Sequence, residues 1–336
     1  MKKLSFDLGN FTTIGVDEND NEIIFESRFL ELGEDEIDDF DSSEKLEYDG
    51  KIYRYQDGTF DAKNEKIQRE NILLNFAAGL AKLAEDGDTV DVVVGVPIRQ
   101  YKGSRSTIID LIMKDNTYNV ALFNNESNKR EKTVTINSVT VVPEAIGAYY
   151  ALSDDIVDKK GRHDLILVDI GGKTIDACTI DKNCNIIKNN TYQRGAFDFY
   201  ENIMNKINAD FPDAVISIEE VQEIIEDGLF ISGEVKKYND YAKKLLEKEC
   251  IEVIKILDTY DKKYARAMFV ISGGHGKTLF PYIHSKIDHA ILHNDPVMAN
   301  AKGYLEYLLE KEEVTETTAK KEVAATKEKV TEEAGN

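Results

Sequence analysis

Alternating apolar and polar positions near the N-terminus predict three short strands in quick succession, Leu4–Leu8, Thr12–Val16 and Glu22–Phe29, the last after an Asp/Asn-rich turn at Asp17–Asn21. The plan returns at mid-chain with Leu165–Val168, Thr174–Ile180 and Asn185–Asn190, around a turn at Asp181–Asn183. Helical periodicity follows each triplet, and then a buried-looking strand ending in a turn signal. These strands are Val90–Val96, before Pro97, and Ala267–Ile271, before Ser272-Gly273-Gly274. The order β-β-β, α, β, α therefore occurs twice, which predicts an α/β chain made of two related halves without close sequence identity.

Helices are expected at Asn64–Glu85, where Ile67, Ile72, Leu73, Phe76, Leu80 and Leu83 fall near one face, and at Pro143–Leu152, with Pro143 and Glu144 in the first turn. A long amphipathic helix is expected at Glu234–Asp258, burying Leu245, Leu246, Ile251, Ile254 and Leu257. Another starts at Asp295-Pro296 and runs to about Glu310. Tyr118–Phe123 and Thr133–Val142 suggest an antiparallel insert. From Glu312 to Asn336 the chain is Glu, Lys, Thr and Ala with almost no large apolar residue, the composition of a flexible tail.

At 336 residues there is room for two domains, each with its own core. The formal charge of −21 argues against direct nucleic-acid binding and favours basic protein partners. Part of that excess lies in Glu31–Glu47, read as a solvated loop. Cys178, Cys184 and Cys250 form no CxxC pair and suit a reducing cytoplasm. No apolar run approaches bilayer-spanning length, and Met1-Lys2-Lys3-Leu4 enters a strand pattern directly, so a cytoplasmic protein that does not contact membranes is expected.

Two glycine turns carry the candidate chemistry: Phe6-Asp7-Leu8-Gly9-Asn10-Phe11-Thr12 and Val168-Asp169-Ile170-Gly171-Gly172-Lys173-Thr174-Ile175-Asp176. An Asp at a strand end, then glycine, then Thr suits a turn that brings backbone N–H groups and a hydroxyl to a phosphate, with the Asp facing its metal. Three further elements are Val142-Pro143-Glu144-Ala145-Ile146-Gly147-Ala148, Val270-Ile271-Ser272-Gly273-Gly274-His275-Gly276 and Asn300-Ala301-Lys302-Gly303. In order and spacing, the five resemble the phosphate 1, connect 1, phosphate 2, adenosine and connect 2 motifs of the actin, sugar kinase and heat-shock chaperone superfamily. Within it the chain is most similar to the bacterial actin-like ParM proteins that segregate plasmids, through Asp169–Asp176 and Pro143-Glu144-Ala145.

The resemblance implies an actin-like (ribonuclease H-like, duplicated) α/β fold. Domain I would be residues 1–152, with 296–311 returning to it, and domain II 153–295; 312–336 would be the tail. It implies ATP, with GTP left open, and Mg²⁺ held through water by Asp7 and Asp169. Gly9, Asn10, Phe11 and Thr12, with Gly171, Gly172, Lys173 and Thr174, would cradle the phosphates. Glu144 would orient the attacking water, making Glu144, Asp169 and Asp7 the catalytic set. Gly273 and Gly274 would let the backbone approach adenosine, and Glu219, Glu223 or Lys237 would reach ribose or base. The implied activity is filament assembly coupled to ATP hydrolysis, with plasmid DNA reached through a basic DNA-binding adaptor and the acidic loop around Glu34–Asp57 inserting into a neighbouring subunit. A non-polymerising kinase and a nucleotide-binding scaffold are the rival readings.

Many relatives carry a phosphate-reaching lysine seven residues after the first Asp; here that position is Ile14. Lys173 is either a replacement charge or a solvated hairpin residue, and Asp176 is open between a structural and a functional role. Gly172-Lys173-Thr174 and Gly276-Lys277-Thr278 lack the earlier glycine of a P-loop, having Leu167 and Ile271 there. No GxGxxG follows the first strand, and His284, His289 and His293 lack a Glu or Cys to complete a zinc pattern. Phe197, Phe199 and Tyr200 are expected in the core.

Overall fold

The computed structural model describes residues 1–311 apart from 34, 35, 37–40, 62, 64, 262 and 263. The tail at 312–336 and part of the acidic stretch lie outside the described residues. The first sheet contains β1 (Lys2–Leu8), β2 (Thr12–Asp17), β3 (Glu22–Glu26), β4 (Phe29–Leu32), β5 (Lys45–Tyr48), β6 (Lys51–Tyr55), β7 (Thr89–Val96), β8 (Thr117–Phe123) and β9 (Arg130–Pro143). Their spatial order is β3-β2-β1-β7-β9-β8-β5-β6-β4. The second sheet contains β10 (Leu165–Ile170), β11 (Ile175–Ile180), β12 (Ile186–Tyr192), β15 (Met268–Ser272) and β16 (Ala290–Leu292), in the order β12-β11-β10-β15-β16. A separate hairpin pairs β13 (Leu229–Ile231) with β14 (Glu234–Lys236).

The duplication is visible in the pairing. β3-β2-β1-β7-β9 and β12-β11-β10-β15-β16 each comprise two antiparallel pairings followed by two parallel ones. Register deepens the match: Asp7 on β1 faces Ile14 on β2, and Asp169 on β10 faces Asp176 on β11.

The central strands are apolar on both faces because both are covered. Val92 and Val94 of β7 join a core with α1 (Ile72–Leu83) and α2 (Tyr101–Met113), while Val93 points the other way. Ile166 and Val168 of β10 pack against α7 (Asn239–Tyr260) and α8 (Gly274–His284), whereas Leu165 and Leu167 share a cluster with Val93 and Val142. That shared cluster includes Ile146 and Ala148 of α3 (Ile146–Tyr150) and Tyr304 and Leu308 of a last helix, α9 (299–311). It joins the two halves. The other helices are α4 (Asp154–Lys160), α5 (Ala196–Asp210) and α6 (Val221–Glu226), the last two enclosing Phe199, Ile203, Val221 and Ile224.

Several boundaries differ from expectation. The segment expected as one strand at Glu22–Phe29 breaks after Glu26, where the Ser27 amide donates to Phe11 O (2.8 Å) and β4 leaves to pair with β6. Within Asn64–Glu85, Lys66–Gln68 is a 3₁₀ turn and the α-helix starts only at Ile72. Pro143 ends β9 opposite Val96 rather than starting a helix; Ala145 adopts φ +66°, and the helix begins at Ile146. Glu234–Asp258 is divided because Ser232 (φ +53°) and Gly233 (φ +82°) close a hairpin before α7, on which Ile251 is exposed rather than buried. The last helix starts at 299, after Pro296 has accepted a hydrogen bond from the Gly273 amide (2.8 Å).

Candidate functional site

The two glycine turns end β1 and β10 and meet across a cavity of about 240 Å³. Its lining includes Asp7, Gly9, Asn10, Phe11 and Thr12 from the first turn and Asp169, Gly171, Gly172, Lys173 and Thr174 from the second. Glu144, Gly273 and Gly274 also line it. The turns touch: a side chain on Gly172 would come within 2.7 Å of the Phe11 ring. The second turn is anchored to α5, whose Ala196 and Phe197 amides donate to Gly171 O (3.1 Å) and Gly172 O (2.8 Å). Gly273 has φ +88°, and a Cβ there would overlap Ile170 O and crowd Asp169 Oδ1 (2.5 Å). Glycine is therefore required where the third turn passes behind the second.

The Asp7, Glu144 and Asp169 carboxyl groups line the cavity, and Asp176 lies beside Asp169 on the neighbouring strand. Asp169 Oδ2 accepts from Asn300 Nδ2 (2.7 Å), while its other oxygen, Oδ1, is buried without a hydrogen-bond partner. Burial holds the Asp169 carboxyl well above its ordinary range. Glu144 is raised in the same direction, again chiefly by burial. Asp176, which the sequence left open, is pushed up to about 7 by burial. Its Oδ1 accepts from the Ile98 amide (3.1 Å) and Thr191 Oγ1 (2.5 Å), so it ties the segment after β7 to the second sheet.

Two basic residues outside the five motifs reach this centre. Lys66, in the 3₁₀ turn before α1, is 1% exposed and places Nζ 2.9 Å from Glu144 Oε1 and 3.4 Å from Asp7 Oδ1. One turn on, Arg69 donates to Leu8 O (2.9 Å) and Asn10 Oδ1 (2.6 Å), bracing the first turn. Neither residue belongs to one of the five motifs. The signal was the Lys66-Ile67-Gln68-Arg69 spacing together with an apolar residue at position 14. Lys173 also faces the cavity, with Nζ 3.5 Å from the centroid of the Phe197 ring, and burial lowers its pKa.

Asn300, which the sequence places only in the fifth motif, has a structural role that the motif does not disclose. Besides binding Asp169, its Oδ1 accepts from the amides of Ala145 (3.1 Å) and Ala148 (3.2 Å). One buried side chain thus joins the second Asp turn to the strained start of α3. Gly303 and Gly147 let α9 and α3 approach closely, since a Cβ on Gly303 would overlap the Gly147 carbonyl. Tyr304 fills the space beside Gly95 and Gly147.

The expected base and ribose residues are placed differently. Glu219 accepts from the Phe60 amide (3.0 Å), a bond across the mouth of the cleft. Glu223 and Lys237 are exposed, Lys237 donating to Asp227 O, and neither lines the cavity, whereas Gln222, Thr278 and His275 do. Phe199 is in the core as expected, but Phe197 and Tyr200 are not simply core: with Phe11 and Phe60 they form an aromatic group spanning the cleft, with centroids 4.6 to 5.6 Å from Phe11. His293 is buried against Ala148 O (3.0 Å).

Residues 5–147 match the family model described as the N-terminal domain of actin-like proteins. No curated protein matches the chain in sequence. Among solved structures, a ParM filament from Clostridium botulinum is 19% identical, with 91% of this chain and 98% of that one aligned at a TM-score of 0.78. An archaeal actin homologue in complex with ADP is 16% identical, over 92% and 100% of the two chains, at a TM-score of 0.75. The actin-like protein Alp7A is 15% identical, over 96% and 99%, at 0.73.

Proposed function

We propose that this chain, actin-like in its N-terminal domain and in its overall fold, binds Mg-ATP in the cleft, hydrolyses it slowly and couples the cycle to filament assembly. The observation that carries the reading is the pair of equivalent Asp turns closing on one cavity, with Glu144 beside them. The unpartnered buried oxygen of Asp169, with Asp7 across the cleft, fits a hydrated Mg²⁺ bound to phosphates. When bound, that ion would neutralise phosphate charge. Amides of the two turns and the Thr12 and Thr174 hydroxyls would receive the phosphate oxygens. The Gly171 amide already donates to Thr174 O (3.0 Å), which leaves Gly172 and Lys173 as donors in the second turn. Raising the Glu144 carboxyl strengthens it as the acceptor that orients water.

In this reading domain I is residues 1–152 with 296–311 returning to it, and domain II is 153–295. Asn300–Asp169, Ile98–Asp176 and Phe60–Glu219 then span the domains, so closure on nucleotide would alter their relative angle and the surfaces available for assembly. Filaments reported for a ParM relative support self-association. The net charge of −21 suits a basic DNA-binding adaptor on plasmid DNA in the cytoplasm. Among the described residues no helix is long and apolar enough to cross a membrane.

Pelleting and light scattering with and without Mg-ATP test the reading. Nucleotide-dependent sedimentation accompanied by phosphate release is expected. A chain that turns over ATP yet stays in the supernatant across protein concentration and salt would instead be a non-polymerising enzyme.

A further inference from the structure

Resting on that reading, we propose that Lys66 and Arg69 distinguish a nucleoside triphosphate from a diphosphate by reading the terminal phosphate, and that Lys66 exchanges partners to do so. The ammonium of Lys66 sits between Glu144 (2.9 Å) and Asp7 (3.4 Å). Glu144 is the group assigned to the attacking water and Asp7 a group assigned to the metal. A cation between them lies at the end of the cleft where the last phosphate must be. Arg69 lines the same cavity, is 7% exposed, and keeps a buried Nε–H without a partner after its two terminal nitrogens have braced the first turn.

Charge explains the exchange. The ammonium neutralises two carboxylates that would otherwise face each other in a poorly solvated site. Mg-ATP brings a divalent ion to the acidic side and roughly one more negative charge than Mg-ADP. With Asp7 holding such an ion, Lys66 would give up its 3.4 Å contact with Asp7 and turn its ammonium to the third phosphate. Mg-ADP has no third phosphate, so with it Lys66 would remain with Glu144. Lys66 also belongs to the 3₁₀ turn that leads into α1, so its change of partner acts on a short segment of domain I beside the cleft. Lys173 lacks this geometry, because its ammonium rests on the Phe197 ring.

Calorimetric titration of wild type and Lys66→Met with Mg-ADP and with a non-hydrolysable Mg-ATP analogue tests the proposal, below the concentration at which scattering begins. Loss of a charge-assisted contact predicts about 10- to 100-fold weaker triphosphate binding and less than about threefold change for the diphosphate. Equal changes for both nucleotides, or none, overturn it. So does loss of triphosphate preference in Lys173→Met with retention in Lys66→Met. If the single variant does not fold, Lys66→Met/Glu144→Gln removes both charges of the pair and must still lose the preference. Wild-type protein that binds neither nucleotide refutes the underlying reading, and the proposal with it; retained binding with an unchanged preference refutes the proposal alone.

Discussion

Replacing Asn300 with alanine removes three hydrogen bonds at one stroke: the donation to Asp169 Oδ2 (2.7 Å) and the acceptances from Ala145 (3.1 Å) and Ala148 (3.2 Å). The side chain is 6% exposed, so water reaches the orphaned groups poorly. Each bond contributes about 1 kcal/mol net, and each buried group left unpaired costs a further ~1 kcal/mol or more, partly relieved by water entering the space vacated. The expected loss is about 3–5 kcal/mol, large against the ~5–15 kcal/mol that holds a typical domain together. Ala145 adds to the effect, since its φ of +66° is held in place by the hydrogen bond its amide donates to Asn300 Oδ1. Urea unfolding without nucleotide measures the change directly. A loss below about 1 kcal/mol would refute the claim that Asn300 joins the second Asp turn to α3.

Gly303→Ala should push α9 away from α3, because the new methyl overlaps the Gly147 carbonyl; a stability loss of about 2–3 kcal/mol is expected in the same assay. Glu144→Ala should retain nucleotide binding while phosphate release falls at least ~100-fold. Burial pushes the folded Asp176 carboxyl up to about 7, above the ~3.9 of an unfolded Asp, so between those values the folded state holds a proton that the unfolded chain releases. Its contribution to stability is full below that lower value and falls as pH rises to about 7. Asp176→Asn should flatten this part of a pH–stability profile measured by urea unfolding from pH 5 to 8. An unchanged slope would contradict the burial argument.

The Asp turns were legible because their chemistry is local: period-two strands, a terminal Asp and glycines fall within a dozen residues. The duplicated order was legible for the same reason, and the sheets repeat it pairing by pairing. Lys66 and Asn300 were not, since Lys66 meets Asp7 across 59 positions and Asn300 meets Asp169 across 131. Only closure of the tertiary structure makes them neighbours. Ile14 leaves room for a cation from elsewhere in the fold, and the sequence offers Lys173 for it only as one of two readings because Lys173 sits in a recognised turn whereas Lys66 does not. The helix expected from Glu234 absorbed a strand because amphipathic periodicity continued through it. Ser232-Gly233, a hairpin dipeptide with both residues at positive φ, marked the break. At Pro143 the helix-start preference gave way to strand pairing with Val96.

The central claim is that the two Asp turns form a single nucleotide site. Calorimetric titration of the wild-type chain with Mg-ATP, set beside Asp7→Asn and Asp169→Asn, tests it most directly. Saturable binding of about one nucleotide per chain is expected for one cleft, with marked weakening by either substitution. Absence of binding by the wild type, or equal affinity in all three proteins, would contradict it.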